Sequence, residues 1–241
     1  MKILTLDIET SPHRGFHFGL FNQNFSLQQM EEWTRMICFA AKWYDEDGVM
    51  FFSDFHDGHS NSVKAAYELV SEADVLVTYN GDSFDNKHMN REFLLQELPP
   101  PAPYQSVDLY KVNKSKFRFG STKLDHFSDQ LKIGQKMKHA GFQLWIDCMN
   151  GDIDAWDKMR QYNCEDVRLT EKVFKRIEPW IMNMPHKGLY DEIEFSCRCG
   201  SVNLQKRGFH YTQIGKYQRY RCNDCGRWLN SSRAEFRVEV K

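Results

Sequence analysis

The chain has 241 residues, of which 41% are hydrophobic and 14% aromatic; that is enough apolar material for a folded core and excludes wholesale disorder. Its apolar runs all fall short of the 18 or so residues a membrane helix needs, and its seven Cys, an odd number unevenly spread, argue against a secreted disulfide framework. The net charge of −1 is uninformative until it is divided along the chain.

Residues Ile3 to Ile8 alternate apolar with small or polar side chains, the period of a strand. Asp7 interrupts that opening before any signal-peptide stretch could form, so the expected location is the cytoplasm, or the host cytoplasm if the source is viral. Met36 to Tyr44 and Val49 to Ser53 read as two further strands joined by an acidic turn from Asp45 to Gly48. The stretch 15–33 is rich in Phe, Asn and Gln and shows no clear period. Asn61 suits the N-cap of a helix in which Val63, Ala66, Tyr67 and Val70 recur at helical spacing. Val75 to Tyr79 is a short apolar strand, and a helix over Asn86 to Leu98 is stopped by Pro99, Pro100 and Pro101. Ser106 to Tyr110 reads as a strand, Leu124, Phe127 and Leu131 mark another helix, and Asp154–Tyr162 and Glu165–Ile181 carry strong helical patterns. Successive strands followed by alternation predict an α/β fold with a mixed sheet: a meander, then crossover units with helices on both faces.

Three acidic pieces punctuate this order. Asp7 and Glu9 sit at i and i+2 near the end of the first strand, so they point the same way. Two such carboxylates repel unless a cation lies between them, and oxygen ligands suit Mg²⁺ or Mn²⁺. The second piece, Asn80-Gly81-Asp82-Ser83-Phe84-Asp85, is a strand-to-helix junction, where open α/β sheets place ligands. The third pairs Tyr162 with Asp166 at i and i+4 on a helix whose apolar stripe continues through Leu169, Val173 and Ile177. Asp82 reads as a turn residue and Glu165 as solvated. Asp108 has an open supporting role, and Cys38, Cys148 and Cys164 read as packing residues. Lys114, Lys116, Arg118 and Lys123 form a basic stretch, either a solvated loop or a phosphate track.

In this order the pieces resemble the DEDD superfamily of 3′–5′ exonucleases, the DnaQ-like branch of the ribonuclease H-like fold. The D-x-E of Asp7 and Glu9 is similar to its first motif, and the N-x-x-x-F-D of Asn80, Phe84 and Asp85 to its second, as in proofreading domains of family B DNA polymerases. The Y-x-x-x-D of Tyr162 and Asp166 is similar to the third motif of the tyrosine subtype; the histidine subtype would need a His where Gln161 stands. Ser121-Thr122-Lys123-Leu124-Asp125 resembles an S-x-K-L-D stretch of YprB-type members, which include small stand-alone versions in phage and bacteria. The resemblance spans residues 1 to about 182. It implies a two-metal mechanism with the cations roughly 4 Å apart. By resemblance Asp7 bridges both metals, Glu9 and Asp166 hold the one that activates water, and Asp85 supports the other. Tyr162 would orient the water, Thr10 and Phe84 would contact the terminal nucleotide, Asn80 would shape the turn or touch the backbone, and Lys123 would bind substrate.

The tail differs in character. From Ser196 to Lys241 there are ten Lys+Arg against three Asp+Glu, a net of +7, which leaves residues 1 to 195 at −8 for the chain total of −1. Regular apolar periodicity stops between Pro185 and Glu194, so two domains are expected, 1–185 and 196–241. Cys197 and Cys199, then Cys222 and Cys225, each pair followed by Gly, flank a predicted hairpin of Arg207–Gln213 and Lys216–Arg221. Four Cys in two close pairs read as one structural Zn²⁺ site, and the segment resembles a zinc ribbon. The C-x-C spacing of the first pair departs from the usual C-x-x-C and leaves His186 or His210 open as a substitute ligand. Arg207, Phe209, Tyr211, Lys216, Tyr217, Arg219, Tyr220 and Arg221 interleave cations with aromatics, as a nucleic-acid handle does; docking to a replication or repair protein is the other reading.

The expected function is therefore cleavage at the 3′ end of nucleic acid, single-stranded DNA favoured over RNA, with no membrane partner. An RNA 3′-exonuclease or structure-specific nuclease on the same site, and a non-catalytic nucleic-acid-binding protein, are the alternatives.

Overall fold

Strand β1 (Ile3–Thr10) is the spine of the sheet, paired along both edges. On one side it pairs antiparallel with β4 (Met36–Trp43), which pairs antiparallel with β5 (Met50–Ser53). On the other side it pairs parallel with β6 (Val75–Thr78), which pairs parallel with β7 (Gln105–Asp108), giving the order β5-β4-β1-β6-β7. The short strands β2 (Arg14–Gly15) and β3 (Met30–Glu32) form a separate ribbon within the stretch that shows no sequence period. Helices α1 (His59–Glu72) and α2 (Asp85–Leu95) make the crossovers that parallel strands require. The result is the mixed α/β architecture expected of a ribonuclease H-like fold. The computed structural model describes every residue except 20, 23, 45, 138–140 and 240–241, so the expected turn at Asp45 falls partly outside the described residues.

Alternation along β1 decides what each face carries. Leu4, Leu6 and Ile8 pack with Val63, Ala66 and Val70 of α1 and Met89 and Phe93 of α2. The opposite face, bearing Asp7 and Glu9, is covered by α6 (Ile153–Ile177), a helix of 25 residues. Ile37 and Cys38 of β4 pack there against Trp156, Met159 and Tyr162, joined by Leu144 and Cys148 of α5 (Gln143–Met149).

Several expectations are corrected. The helices predicted over Asp154–Tyr162 and Glu165–Ile181 are one continuous helix. No Gly or Pro interrupts the run between them, and Asn163 and Cys164 are both buried. The helix ends at Ile177 rather than Ile181, because Pro179 cannot donate and the chain tightens into a 3₁₀ turn. Helix α3 (Leu109–Lys116) places Lys114 and Lys116 in a last turn rather than a loop. It and α5 are short and bury few residues, so neither shows a readable period. Helix α1 starts at His59 with Gly58 as N-cap, while the Asn61 amide donates back to the Asp57 carbonyl at 2.9 Å. Helix α2 runs Asp85–Leu95 and α4 runs Leu124–Gln130.

The chain divides into two compact units, Lys2–Lys175 and Arg176–Lys241 together with Met1. In the second, β9 (Gly215–Cys222) is central: β8 (Leu204–Tyr211) pairs along one edge, and β10 (Trp228–Asn230) and β11 (Phe236–Arg237) along the other. The hairpin thus starts three residues earlier than predicted. Among the described residues no helix is long and apolar enough to cross a membrane.

The start of β4 is secured by a buried acid. Glu92 of α2 is 2% exposed and accepts from the Met36 N–H at 3.0 Å. Its other oxygen lies 3.4 Å from His59 Nε2, and His59 Nδ1 lies 2.9 Å from Asp54. Hydrogen bonds to Asp54 and Glu92 raise the His59 pKa from 6.5 to about 9. A raised imidazole contributes stability in full below the unfolded value and loses it as pH rises through the folded one. The melting temperature of the wild type should therefore fall between pH 6.5 and 9.5 more steeply than that of His59→Gln; parallel curves from thermal melts would contradict this network.

Candidate active site

The edge of the sheet at the end of β1 gathers acids from three elements. A register shift between Glu9 and Thr10 ends the regular pairing of β1 with β4. Asp7 and Glu9 project from the face under α6, as alternation requires. Asp166 comes from the middle of α6 and is 1% exposed. One carboxylate oxygen from each of Asp7, Glu9 and Asp166 lies within 4.8 Å of the others. Asp85 is the first residue of α2, 3% exposed, with its Oδ1 accepting from the Ile8 N–H at 3.0 Å. The N-cap is Phe84 rather than Asp85, so the Asp85 carboxylate is turned to β1 instead of capping its own helix. It stands beside the three-acid group and is not one of it.

Partners hold these acids in place. Asn163 Nδ2 donates to Asp7 Oδ2 at 2.7 Å and to the Asp7 carbonyl at 3.2 Å. Glu9 is hydrogen-bonded by Trp145 of α5. Lys136 Nζ lies 2.6 Å from Asp166 Oδ2 and 3.4 Å from the Tyr162 hydroxyl, with its ammonium 5.4 Å from the phenol ring centroid. Tyr162 and Asp166 therefore share one side of α6, as their spacing predicts. The loop carrying Lys136 is itself tied down, because its N–H donates to Asp125 Oδ1 at 2.9 Å. The Ser121–Asp125 stretch thus has a local role: Asp125 anchors the lysine, and the Thr122 carbonyl accepts from Tyr79 Oη at 2.6 Å.

Burial and crowding set the electrostatics. Burial, then the charges of Asp85, Glu9 and Asp166, pushes the Asp7 carboxyl well above its ordinary range. Burial and Asp166 push Glu9 up to about 8. Burial pushes Asp85 to about 7 against the pull of the Ile8 N–H. Burial works against the charged form of Lys136, but Asp166 outweighs it and the ammonium is held above its usual value. Burial, Glu9 and Asp166 raise the Tyr162 phenol, which stays protonated. Buried and half-buried acids that mutually oppose ionisation, all offering oxygen, form the donor set that a hard divalent cation compensates. The residues present fit such an ion.

The other expected contacts are spread around this centre. Asn80 takes a left-handed conformation, φ +72°, at the turn after β6. Asp108 holds that turn, accepting from the Asn80 N–H at 2.8 Å, and caps α3 by accepting from Tyr110 at 3.0 Å. Asp82 is paired with Lys111 at 2.7 Å and Glu165 with Arg168 at 2.7 Å, both away from the acid cluster. Asn80 and Lys123 line a cavity of about 430 Å³ together with Tyr79, Tyr110 and Lys136. Phe84 is 38% exposed with its ring 4.6 Å from that of His88, and Thr10 is half-buried. Cys38, Cys148 and Cys164 are buried core residues. Three site residues carried no sequence expectation: Lys136, Asn163 and Trp145. Asn163 lies inside the third motif and could have been found there, whereas Lys136 reaches Asp166 across 30 residues of chain.

The second unit holds a separate cluster. Cys197, Cys199, Cys222 and Cys225 each offer a sulfur within 4.8 Å of the rest, and could hold a metal ion. Cys197 and Cys225 approach to 3.5 Å and Cys199 and Cys222 to 3.8 Å, so all four are free thiols. Both members of the C-x-C pair take part, and neither His186 nor His210 belongs to the group. Gly200 and Gly226 have φ of +89° and +77°, the left-handed conformation these tight turns need. Burial disfavours the Cys222 thiolate, yet backbone N–H groups of Cys225 and Asp224 hold its pKa at about 7.

A family model described as the RNase H superfamily matches residues 26–178. Asp85, Lys136, Tyr162, Asn163 and Asp166 fall inside that span, and the Asp7–Glu9 strand precedes it. No curated protein matches the chain.

Repulsion within the acid cluster should be measurable as stability. Asp7→Asn keeps an oxygen to accept from Asn163 but removes a half-buried acid. Without divalent cations it should raise the melting temperature by roughly 2–4 °C or more, the shift that about 1 kcal/mol produces in a chain of this size. Added Mg²⁺ should then stabilise the variant less than the wild type. A variant that melts below the wild type in metal-free buffer would mean that the carboxylate is held by favourable contacts instead.

Proposed function

The chain belongs to the RNase H superfamily, and on that premise we propose that it is a divalent-metal-dependent 3′–5′ exonuclease of the tyrosine subtype, acting on single-stranded DNA in preference to RNA. The observation that carries this reading is the meeting of Asp7, Glu9 and Asp166 within 4.8 Å, with the Tyr162 phenol beside them and Asp85 behind. Asp7, Glu9 and Asp166 would hold one Mg²⁺ or Mn²⁺, and Asp7 with Asp85 a second. Divalent cations bound there supply Lewis-acid polarisation of the scissile phosphate and a water acidic enough to attack at neutral pH.

The protein's own groups do the rest. Asn163 holds the Asp7 carboxylate through one hydrogen bond and its carbonyl through another, and Trp145 holds Glu9. Tyr162 keeps its proton, so it orients the attacking water and does not abstract a proton. Lys136 offsets the charge of Asp166 and keeps the acids together at neutral pH. Thr10 and Phe84 at the open edge would contact the terminal nucleotide, and Asn80 and Lys123 the strand along the cavity they line.

In this reading residues 1–185 form the nuclease domain and 196–241 a zinc ribbon, its four cysteines holding one structural Zn²⁺. The net charge of +7 over 196–241 supports nucleic acid as the partner of that module; docking to a replication or repair protein is the other role it could serve.

A time course on 5′-labelled single-stranded DNA and RNA with Mg²⁺ or Mn²⁺ should give a ladder from the 3′ end, faster on DNA. Internal cuts at early times, or a faster RNA ladder, would redirect the assignment to a structure-specific nuclease or an RNA exonuclease. Asp166→Ala should abolish cleavage, and wild-type turnover in that variant would sink the proposal. Tyr162→Phe should cost about 10²-fold in rate with cation binding retained. Elemental analysis should find about one zinc per chain, and Cys199→Ser should lose it.

A further inference from the structure

A cleft of about 910 Å³ in the second unit is not explained by a metal knuckle. One wall is the edge strand β10 with Arg227 before it; the other is the segment from Pro179 through Arg198. Four aromatic side chains line it: Trp180, Phe195, Tyr220 and Trp228. Trp228 is 53% exposed and Phe195 56%, large values for rings set in a cleft. Each is braced from one side. Arg219 lies over the Trp228 ring at 5.0 Å, and Phe195 meets Tyr220 edge-on at 5.2 Å.

The walls are stitched by arginines. Arg227 donates from Nε to the Pro179 carbonyl at 3.1 Å and from Nη2 to the Glu178 carbonyl. Arg198 donates from Nη1 to the Met182 carbonyl at 2.8 Å. Carbonyl partners fix these guanidinium groups without cancelling their charge. Glu194 is the one acid among the lining residues, and the net charge over 196–241 is +7.

We propose that this cleft binds unpaired nucleobases of a single strand, with Trp228, Trp180 and Phe195 as stacking surfaces and Arg198 and Arg227 drawing in the phosphates. The proposal deepens the nuclease reading, resting on nucleic acid being the partner, and names the unpaired strand as what the second unit recognises. Ring faces accept any base, and the positive field acts on the backbone, so the site would be tolerant of sequence. Added peptide is the poorer occupant: β10 has three residues, too few to template a strand, and a basic module repels basic peptides.

The test uses the full-length, zinc-loaded chain carrying Asp7→Asn, so that binding is read without cleavage. Affinity for a fluorescein-labelled thymidine 20-mer is measured by anisotropy, alongside an abasic strand of equal length and a blunt duplex. The base-bearing strand should bind roughly tenfold or more tightly than the abasic one, the effect of losing base–aromatic stacking. Adding Trp228→Ala should erase most of that difference, and Trp228→Phe should restore it. Equal affinity for base-bearing and abasic strands overturns the proposal, because phosphates alone would then explain binding. So does an unchanged base preference in a Trp180→Ala, Trp228→Ala double variant whose zinc content and circular dichroism match the parent. The abasic comparison needs no tryptophan substitution, so it decides even if those variants misfold. The nuclease reading fails separately, by absence of 3′ laddering with the unsubstituted chain.

Discussion

Everything in the first unit is arranged around a local conflict of charge. Asp7, Glu9 and Asp166 are brought within 4.8 Å of one another, and Asp85 is buried next to them. Moving carboxylates out of water is costly, and moving several together is more so. The fold tolerates this because each acid is seized by a specific donor: Asn163 for Asp7, Trp145 for Glu9, the Ile8 N–H for Asp85 and Lys136 for Asp166. Such an arrangement contributes little to stability by itself. It is a preorganised charge deficit, and the chemistry of its donors matches a hard divalent ion.

The same conflict is met by carrying the acids on regular elements. Asp7 and Glu9 sit on the central strand, bonded on both sides, and are not on a loop. Asp166 and Asn163 sit on a long helix buried along one side by Trp156, Met159 and Val167. Asp108 and Asp125 extend the principle outward. They touch none of the three clustered acids, yet one fixes the Asn80 turn and the other the backbone of the Lys136 loop. Asp108, whose role was open in the sequence, and Asp125 are supports for the elements that carry the site.

The second unit solves a different problem. With little apolar area to bury, its strands converge on four thiols, and two left-handed glycines let backbone N–H groups face sulfur. Metal binding to such a cluster is worth enough to organise a small module. Its aromatic side chains are therefore not all needed for a core, and several remain at the surface, among them Trp228 and Phe195.

Much of this was legible in the residues. Strand alternation placed Asp7 and Glu9 on one face, helical spacing placed Tyr162 and Asp166 on another, and both meet because α6 lies over that face of β1. The order of strands and helices sufficed for the mixed sheet, since hydrophobic period is a local property. The paired cysteines likewise announced their cluster by spacing alone. What the residues could not show was set by distance along the chain. Lys136 lies in a loop with no period, and only the packing of that loop, through Asp125, brings its ammonium to Asp166 and Tyr162. Tyr162 and Asp166 already shared a helical face in the sequence, but that the flanking patterns form one helix of 25 residues is seen only in its packing along the sheet. Short helices such as α3 and α5 bury too few residues to leave a pattern. Sequence by itself determined the local periods, the acids and the thiols; tertiary structure decided which of them share a charge, because Coulomb and hydrogen-bond energies depend on separation in space rather than along the chain.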